Sequence, residues 1–502
     1  MNGATRLRWP ALLSLYLASR LAGLTLLPIF LDERIHLRWA YWIAQGDRLR
    51  LPFISGRGLS VWLLAGVAPP VDDPLLAGRL LTVAVGTVTL VACHHLARRA
   101  TGSLQAADVA ALFYIACPFT LFYDRMILTD AFLSAFTALT LLLALGLAET
   151  PRLRTGVLLG LALGMGVLSK TTGLLLFAVP LLALMVARRD RRRALLVPLA
   201  AAHAVAVALV AYPLWLFFRR TSELAGALGK RENEASLTAN VATNLRLATE
   251  WLGAYWTAPL IVLAAAGLAF AVAHRERRRP ALLLAVLAVV PTLAFVAVSE
   301  IWYPRYLLFT TVPLLPLAAG GFVSLVDALA SRARLGPRGT GALTAAALVL
   351  ALLPALRFDA RLWTDPAGAP LPGFDRFQYV TGWPSGYGLR DTVAFLHAER
   401  ERGGGLLLVT PGPSTTAGAV RLLSRRDPEV EVRHVDPASV ADPHELDGEG
   451  PSRAVFVIVS LIEGVQLPEA WVSALEPVFA SFKPNGAAAD RLYRVCAPPG
   501  CR

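Results

Sequence analysis

Apolar residues in this chain gather into runs long enough to cross a bilayer, at roughly 9–31, 76–97, 104–122, 126–147, 155–169, 171–187, 194–218, 256–273, 281–299, 305–329 and 340–357. The pattern predicts about eleven transmembrane helices, with the two short windows either side of Lys170 forming two tilted helices or one irregular one. The first run follows Arg6 and Arg8 and has no small-residue cleavage site ahead of Asp32, so it reads as an uncleaved first helix.

Basic residues set the expected orientation. With the N-terminus cytoplasmic, Arg98-Arg99, Arg152 with Arg154, Arg188 to Arg193, Arg275 to Arg279, and Arg332, Arg334 and Arg338 all fall on one side. The other side then receives Asp32-Glu33, Tyr123-Asp124-Arg125, Lys170, and outer loops at about 32–75, 219–255 and 300–304. The cytoplasmic loops hold little but arginine, which assigns the chemistry to the extracytoplasmic face.

After residue 357 the pattern changes. Residues 358–502 contain no spanning window and are rich in Pro, Gly and charge, which predicts a small soluble extracytoplasmic α/β domain. Leu406–Thr410 and Ala454–Val459 read as buried strands of a partly parallel sheet, and 391–402 and 468–479 as helices. The fold class is therefore an α-helical polytopic membrane protein with a C-terminal α/β domain.

Composition agrees: of 502 residues 56% are hydrophobic and 17% charged, and the mean hydropathy is +0.55. The net charge of +13 would suggest nucleic acid in a soluble chain, but here it resides in the loop arginines, and no nucleic-acid partner is expected. Four cysteines are too few for a disulfide framework and lack zinc-site spacing; Cys496 and Cys501 are either a pair or free thiols.

Against this background several polar residues stand out. Asp32 and Glu33 either end a helix in water, cap a surface helix over about 37–46, or face a reaction site. Asp130 lies one turn into an apolar span, where ionisable groups usually face an interior cavity. Arg305, in Tyr303-Pro304-Arg305-Tyr306, and Lys170 either snorkel to headgroups or hold an anion. Leu245 to Trp251 reads as an interfacial aromatic helix able to close over a lipid, or as part of a solvated loop. Together, carboxylates and cations expected on one membrane face suit an anionic lipid-linked substrate. A carboxylate can deprotonate an acceptor hydroxyl while arginines hold a phosphate by charge-assisted bonds.

The order Asp32-Glu33, Arg125-Met126-Ile127-Leu128-Thr129-Asp130, Ser169-Lys170-Thr171-Thr172-Gly173 and Pro304-Arg305-Tyr306-Leu307-Leu308 resembles the GT-C glycosyltransferases. Within them it is most similar to protein O-mannosyltransferases and the lipid A aminoarabinose transferases, glycosyltransferase families 39 and 83. The segment Gln378 to Gly388 is also similar to one found after the last helix of bacterial members. The resemblance implies inverting transfer of a sugar from a polyprenyl-phosphate donor to an extracytoplasmic glycolipid, cell-envelope glycan or protein, in a bacterial-type cell membrane. It implies Asp32 as the general base, Glu33 as its support and Asp130 as a second cavity acid. Arg305, Arg57 and Lys170 would contact the donor phosphate, and Arg125, Tyr303 and Trp251 would belong to the acceptor or lid region. Arg57 lies in Ser55-Gly56-Arg57-Gly58-Leu59, which lacks the acid and proline of the family's Glu-Lys-Pro-type motif. No cofactor is required, though Asp32 and Asp130 could take a divalent metal. Two other classes fit a polytopic chain with internal charges: a lipid or lipid-linked-sugar flippase, and a catalytically silent GT-C scaffold.

Overall fold

The computed structural model describes residues 3–227, 237–300, 302–403, 405–411, 415–425, 427, 429–436, 440, 443–447, 454–460 and 467–496. The chain forms two compact units, one of residues 1–24 and 39–372, the other of residues 25–38 and 373–502.

The first unit is helical. Among the described residues seven helices are long and apolar enough to cross a membrane: Pro74–Thr101, Thr129–Glu149, Arg192–Ala227, Leu237–Ala273, Arg275–Val298, Leu314–Arg332 and Pro337–Thr364. Shorter apolar helices include Gly58–Val67, Leu104–Ala116 and Leu153–Ser169. Thr129–Glu149 is the most enclosed span, 72% buried against 17% for Pro337–Thr364, and Asp130 in its first turn is buried in protein. Leu133, Leu141 and Leu145 from this helix pack with Leu159 and Leu163 from Leu153–Ser169, and with Leu195 and Leu199 from Arg192–Ala227.

Four apolar windows are not single helices. The first ends at Leu21, because Gly23 turns at φ +60° and Pro28 follows, and the chain re-enters a helix only at Leu31. The window 104–122 breaks at extended Cys117, ahead of Pro118. The window 171–187 begins as the 3-10 turn Thr171–Phe177, and 305–329 becomes a regular long helix only at Leu314. Hydropathy records apolar character, which these stretches have without being straight helices.

The expected outer loop 219–255 is helical over 219–227 and 237–255, and residues 228–236 lie outside the described residues. The expected loop 32–75 carries the helices Leu31–Ala44, Leu51–Ile54 and Gly58–Val67. The boundary expected after residue 357 lies after Pro372, because helix Pro337–Thr364 runs on past the apolar window.

The second unit holds a five-stranded mixed sheet: β1 Leu406–Thr410, β2 Val430–His434, β3 Ala454–Ser460, β4 Leu475–Phe482 and β5 Ala488–Val495. The order is β2-β1-β3-β5-β4, with β1 parallel to β2 and β3, and β5 antiparallel to β3 and β4. Both expected strands are present and the sheet is partly parallel. The expected helix over 391–402 is Leu389–Gly403, but that over 468–479 is only Glu469–Ala474 and then β4. Val478, Phe479 and Phe482 favour a strand, and Pro477 blocks helix continuation. Leu407, Val409, Val455, Val457 and Trp471 form the core of one face.

Candidate functional site

In the helical unit the site forms where three chain breaks meet. Helix Thr129–Glu149 begins after extended Leu128 with no side-chain cap, so Asp130 in its first turn sits at the positive end of the helix dipole. Helix Leu153–Ser169 ends at Lys170, whose extended backbone (φ −158°, ψ 136°) turns the chain into Thr171–Phe177. The turn needs Gly173: a Cβ there would lie 2.6 Å from the Gly166 backbone. Arg305 lies on the 3-10 turn Pro304–Leu307, with Pro304 fixing its entry.

These breaks converge on one carboxylate. Lys170 Nζ donates to Asp130 Oδ1 at 2.6 Å, and Arg305 Nε lies 3.9 Å from Asp130 Oδ2. Asp130 and Arg305 are 4% and 5% exposed, so this is an enclosed ion cluster rather than a pair of snorkelling cations. Aromatic faces complete it: Lys170 Nζ is 3.6 Å from the Tyr306 ring centre, and the Arg305 guanidinium 4.5 Å from that of Tyr303. Arg57 is within electrostatic reach of Lys170 and Tyr306, and its neighbour Gly56 (φ +69°) lies so close to Thr171 that a Cβ would meet it at 2.6 Å. Among the described residues Lys170 and Arg305 share the Asp130 carboxylate, and Arg57 adds a third cation on the Lys170 side.

Trp251 is fully buried, its ring 4.7 Å from Trp302, whose Nε1 donates to Asn244 Oδ1 at 3.0 Å. Asn244 Nδ2 in turn donates to the Val296 carbonyl at 3.1 Å. Trp251 thus supports the segment leading to Tyr303 and Arg305. Arg125 is outside the cluster, with Nη2 donating to the Ala22 carbonyl at 2.7 Å.

Asp32 and Glu33 belong to the second unit and open a helix rather than close one. Glu33 Oε2 accepts the Phe30 backbone N–H at 2.9 Å, three residues back, which is the acidic half of a capping box, and Glu33 is wholly buried. Asp32, adjacent in the same first turn, is half-buried. The Leu31 N–H is taken by the Pro384 carbonyl at 3.1 Å, and Phe30 packs on Tyr379 with ring centres 4.5 Å apart. The Gln378 to Gly388 segment therefore anchors the start of the Asp32 helix. Ser385 in turn accepts from Lys483 Nζ at 3.1 Å through its carbonyl.

Reading the sequence missed a second buried network. Arg20 Nη2 lies 3.3 Å from Asp124 Oδ2, which also accepts from the Tyr114 hydroxyl at 2.8 Å, and Tyr16 Oη donates to the Val83 carbonyl at 2.9 Å. It locks the chain ahead of Asp130. The available signal was an arginine inside an apolar window.

Among the described residues no group of three or more His, Cys, Asp or Glu is placed to hold a metal. Asp130 turns one oxygen to Lys170 and the other toward Arg305, an environment that disfavours a divalent cation.

Comparison with known proteins supports this architecture. A family model described as dolichyl-phosphate-mannose-protein mannosyltransferase matches residues 59–217. No curated protein matches the sequence. The crystal structure of ArnT from Cupriavidus metallidurans bound to undecaprenyl phosphate superposes with a TM-score of 0.60 at 15% identity, covering 100% of this chain and 99% of that one. The archaeal oligosaccharyltransferase AglB from Archaeoglobus fulgidus, in complex with an inhibitory peptide and a dolichol-phosphate, gives 0.54 at 12% identity, covering 96% of this chain and 74% of that one. The chain is a multi-pass membrane protein with the fold of the GT-C glycosyltransferases.

Proposed function

We propose that the protein transfers a sugar, with inversion, from a polyprenyl-phosphate donor to an acceptor on the extracytoplasmic side of a bacterial-type cell membrane. The observation that carries the reading is the shared carboxylate of Asp130 between Lys170 and Arg305, with Arg57 nearby. Clustered cations beside aromatic faces suit a phosphate flanked by a sugar and a lipid. Arg305 offers a planar fork for bidentate contact and Lys170 a compact charge, while Asp130 keeps both oriented and limits their mutual repulsion.

The chemistry needs little else. A polyprenyl phosphate leaves as a stabilised anion, so positive charge at its oxygens replaces a strong general acid as the anomeric carbon gains oxocarbenium character. Asp32 takes the acceptor proton, and Glu33 holds the helix turn that carries it. No step in this reading runs through a metal. The solved relatives support the donor class, since ArnT binds undecaprenyl phosphate and AglB a dolichol-phosphate. The acceptor is a hydroxyl of a glycolipid, an envelope glycan or a protein.

The test offers purified protein a panel of labelled polyprenyl-phosphate sugars with membrane acceptors and compares wild type with Asp32→Asn and Arg305→Gln. Transfer lost in both variants is the expected result. Undiminished transfer in both would overturn the mechanism, and lipid translocation without transfer would favour a flippase.

A further inference from the structure

Helices Thr129–Glu149 and Leu153–Ser169 form an antiparallel pair whose two ends carry different chemistry. Asp130 and Lys170 meet at one end, and the turn Thr150–Arg152 closes the other. Asp130 and Gly146 are sixteen residues apart on one helix, about 24 Å along its axis, which is most of a hydrocarbon core. Anything bound at the turn is therefore distinct from the candidate site.

A cleft of about 320 Å³ opens at that turn, where the end of helix Pro74–Thr101 joins the pair. His95, Arg99 and Arg152 line its polar part with the hydroxyl-bearing Thr150 and Thr155, and Leu142 and Leu143 form an apolar wall one turn deeper. An adjoining cleft of about 430 Å³ shares His95 and Arg99 and adds Arg98. Gly146 makes room for the charge: its missing Cβ would lie 3.4 Å from the Arg99 guanidinium. Glu149 pairs with Arg99 and is the one carboxylate among the lining residues, so the cations outnumber it. Arg191 donates to the Glu149 carbonyl and brings a further positive charge to the same turn.

A soluble anion would need only the cations. The added Leu142 and Leu143 wall, running from the charged turn into the apolar span, matches a molecule that is anionic at its head and apolar just beneath it. The excess of cations favours a net negative headgroup over a zwitterionic one. We propose that this cleft is a binding site for an anionic phospholipid, with its phosphodiester among Arg98, Arg99 and Arg152 and the start of an acyl chain along Leu142 and Leu143.

The test uses the intact, delipidated protein in detergent, incubated with equal amounts of phosphatidylglycerol and phosphatidylcholine of matched chains, with retained lipid counted by native mass spectrometry. Preferential retention of phosphatidylglycerol is expected. Arg98→Gln with Arg152→Gln leaves the Arg99–Glu149 pair intact and should weaken retention about thirtyfold, as two interfacial charges predict. Thr155→Phe keeps every charge but fills the cleft, and should lower retention at an unchanged melting temperature. Equal retention of the two lipids, or retention unaffected by Thr155→Phe, would overturn the proposal. So would displacement by glycerol phosphate at concentrations comparable to the lipid, which would mark a soluble-anion site.

Discussion

Lys170 and Asp130 close a 2.6 Å ion pair between the residue that caps the end of one apolar helix and the first turn of its neighbour, and Arg305 shares the same carboxylate. Neither partner is replaceable alone. Asp130→Asn leaves two enclosed cations facing each other and should destabilise the protein by about 3–5 kcal/mol. Adding Lys170→Met should recover much of that loss without restoring transfer. Thermal unfolding in detergent, measured beside transfer rates for both single variants and the double variant, gives the coupling directly.

The neighbouring acids Asp32 and Glu33 should separate by function. Glu33→Gln keeps a capping-box side chain and should be tolerated, whereas Glu33→Ala should cost about 1 kcal/mol. Asp32→Asn should leave the melting temperature unchanged and lower transfer about 10²–10⁴-fold, the range of a lost general base. A melting shift in Asp32→Asn as large as in Glu33→Ala would assign both residues to the cap.

Gly173 controls the direction of Lys170. In Gly173→Ala the new Cβ meets the Gly166 backbone, which cannot rotate away as a side chain would, so the turn must shift. A loss of about 1–3 kcal/mol is expected, with a larger fractional fall in donor affinity than in stability. Donor titration and thermal unfolding of the same sample test this.

The sheet-bearing unit should lose stability as pH rises from about 4 to 6. Burial pushes the Asp490 carboxyl up from 3.8 to about 6, against the Thr416 hydrogen bond and the nearby Lys483 that favour its anion. Because the folded value exceeds the unfolded one, the contribution is fully present below the unfolded value and lost as pH rises through the folded one. The shift corresponds to roughly 3 kcal/mol at most. Asp490→Asn should remove the dependence. Hydrogen exchange of strand β5 in the intact protein at pH 4.5 and 7, corrected for intrinsic rates, reads both effects.

Residue chemistry was more legible in the sequence than chain path. Lys170, Asp130 and Arg305 stand out because ionisable groups beside apolar windows are costly unless paired, and the structure brings these three together. The break after Leu21 was not legible, since Leu24, Leu27, Ile29 and Phe30 are buried as a helix would bury them. Glu33 as a cap was open, because a carboxylate at a helix start reads the same whether it bonds backbone or substrate. Arg20 carried a signal as a charge inside an apolar window, but its pairing with Asp124, distant in sequence, had none. Trp251 looked interfacial because aromatic residues near a span end usually are. Its contact with Trp302, distant in sequence, has no local signal.

The stretch 25–38 is grouped with residues 373–502 rather than with the helices on either side of it. A chimera that exchanged the C-terminal domain as a simple cassette would therefore leave one segment of a folded unit behind. Asp32 would be stranded on a helix whose first N–H has lost its carbonyl partner on Pro384. Recombination between relatives of this protein is consequently constrained at two junctions far apart in the gene, and a functional graft has to carry both pieces.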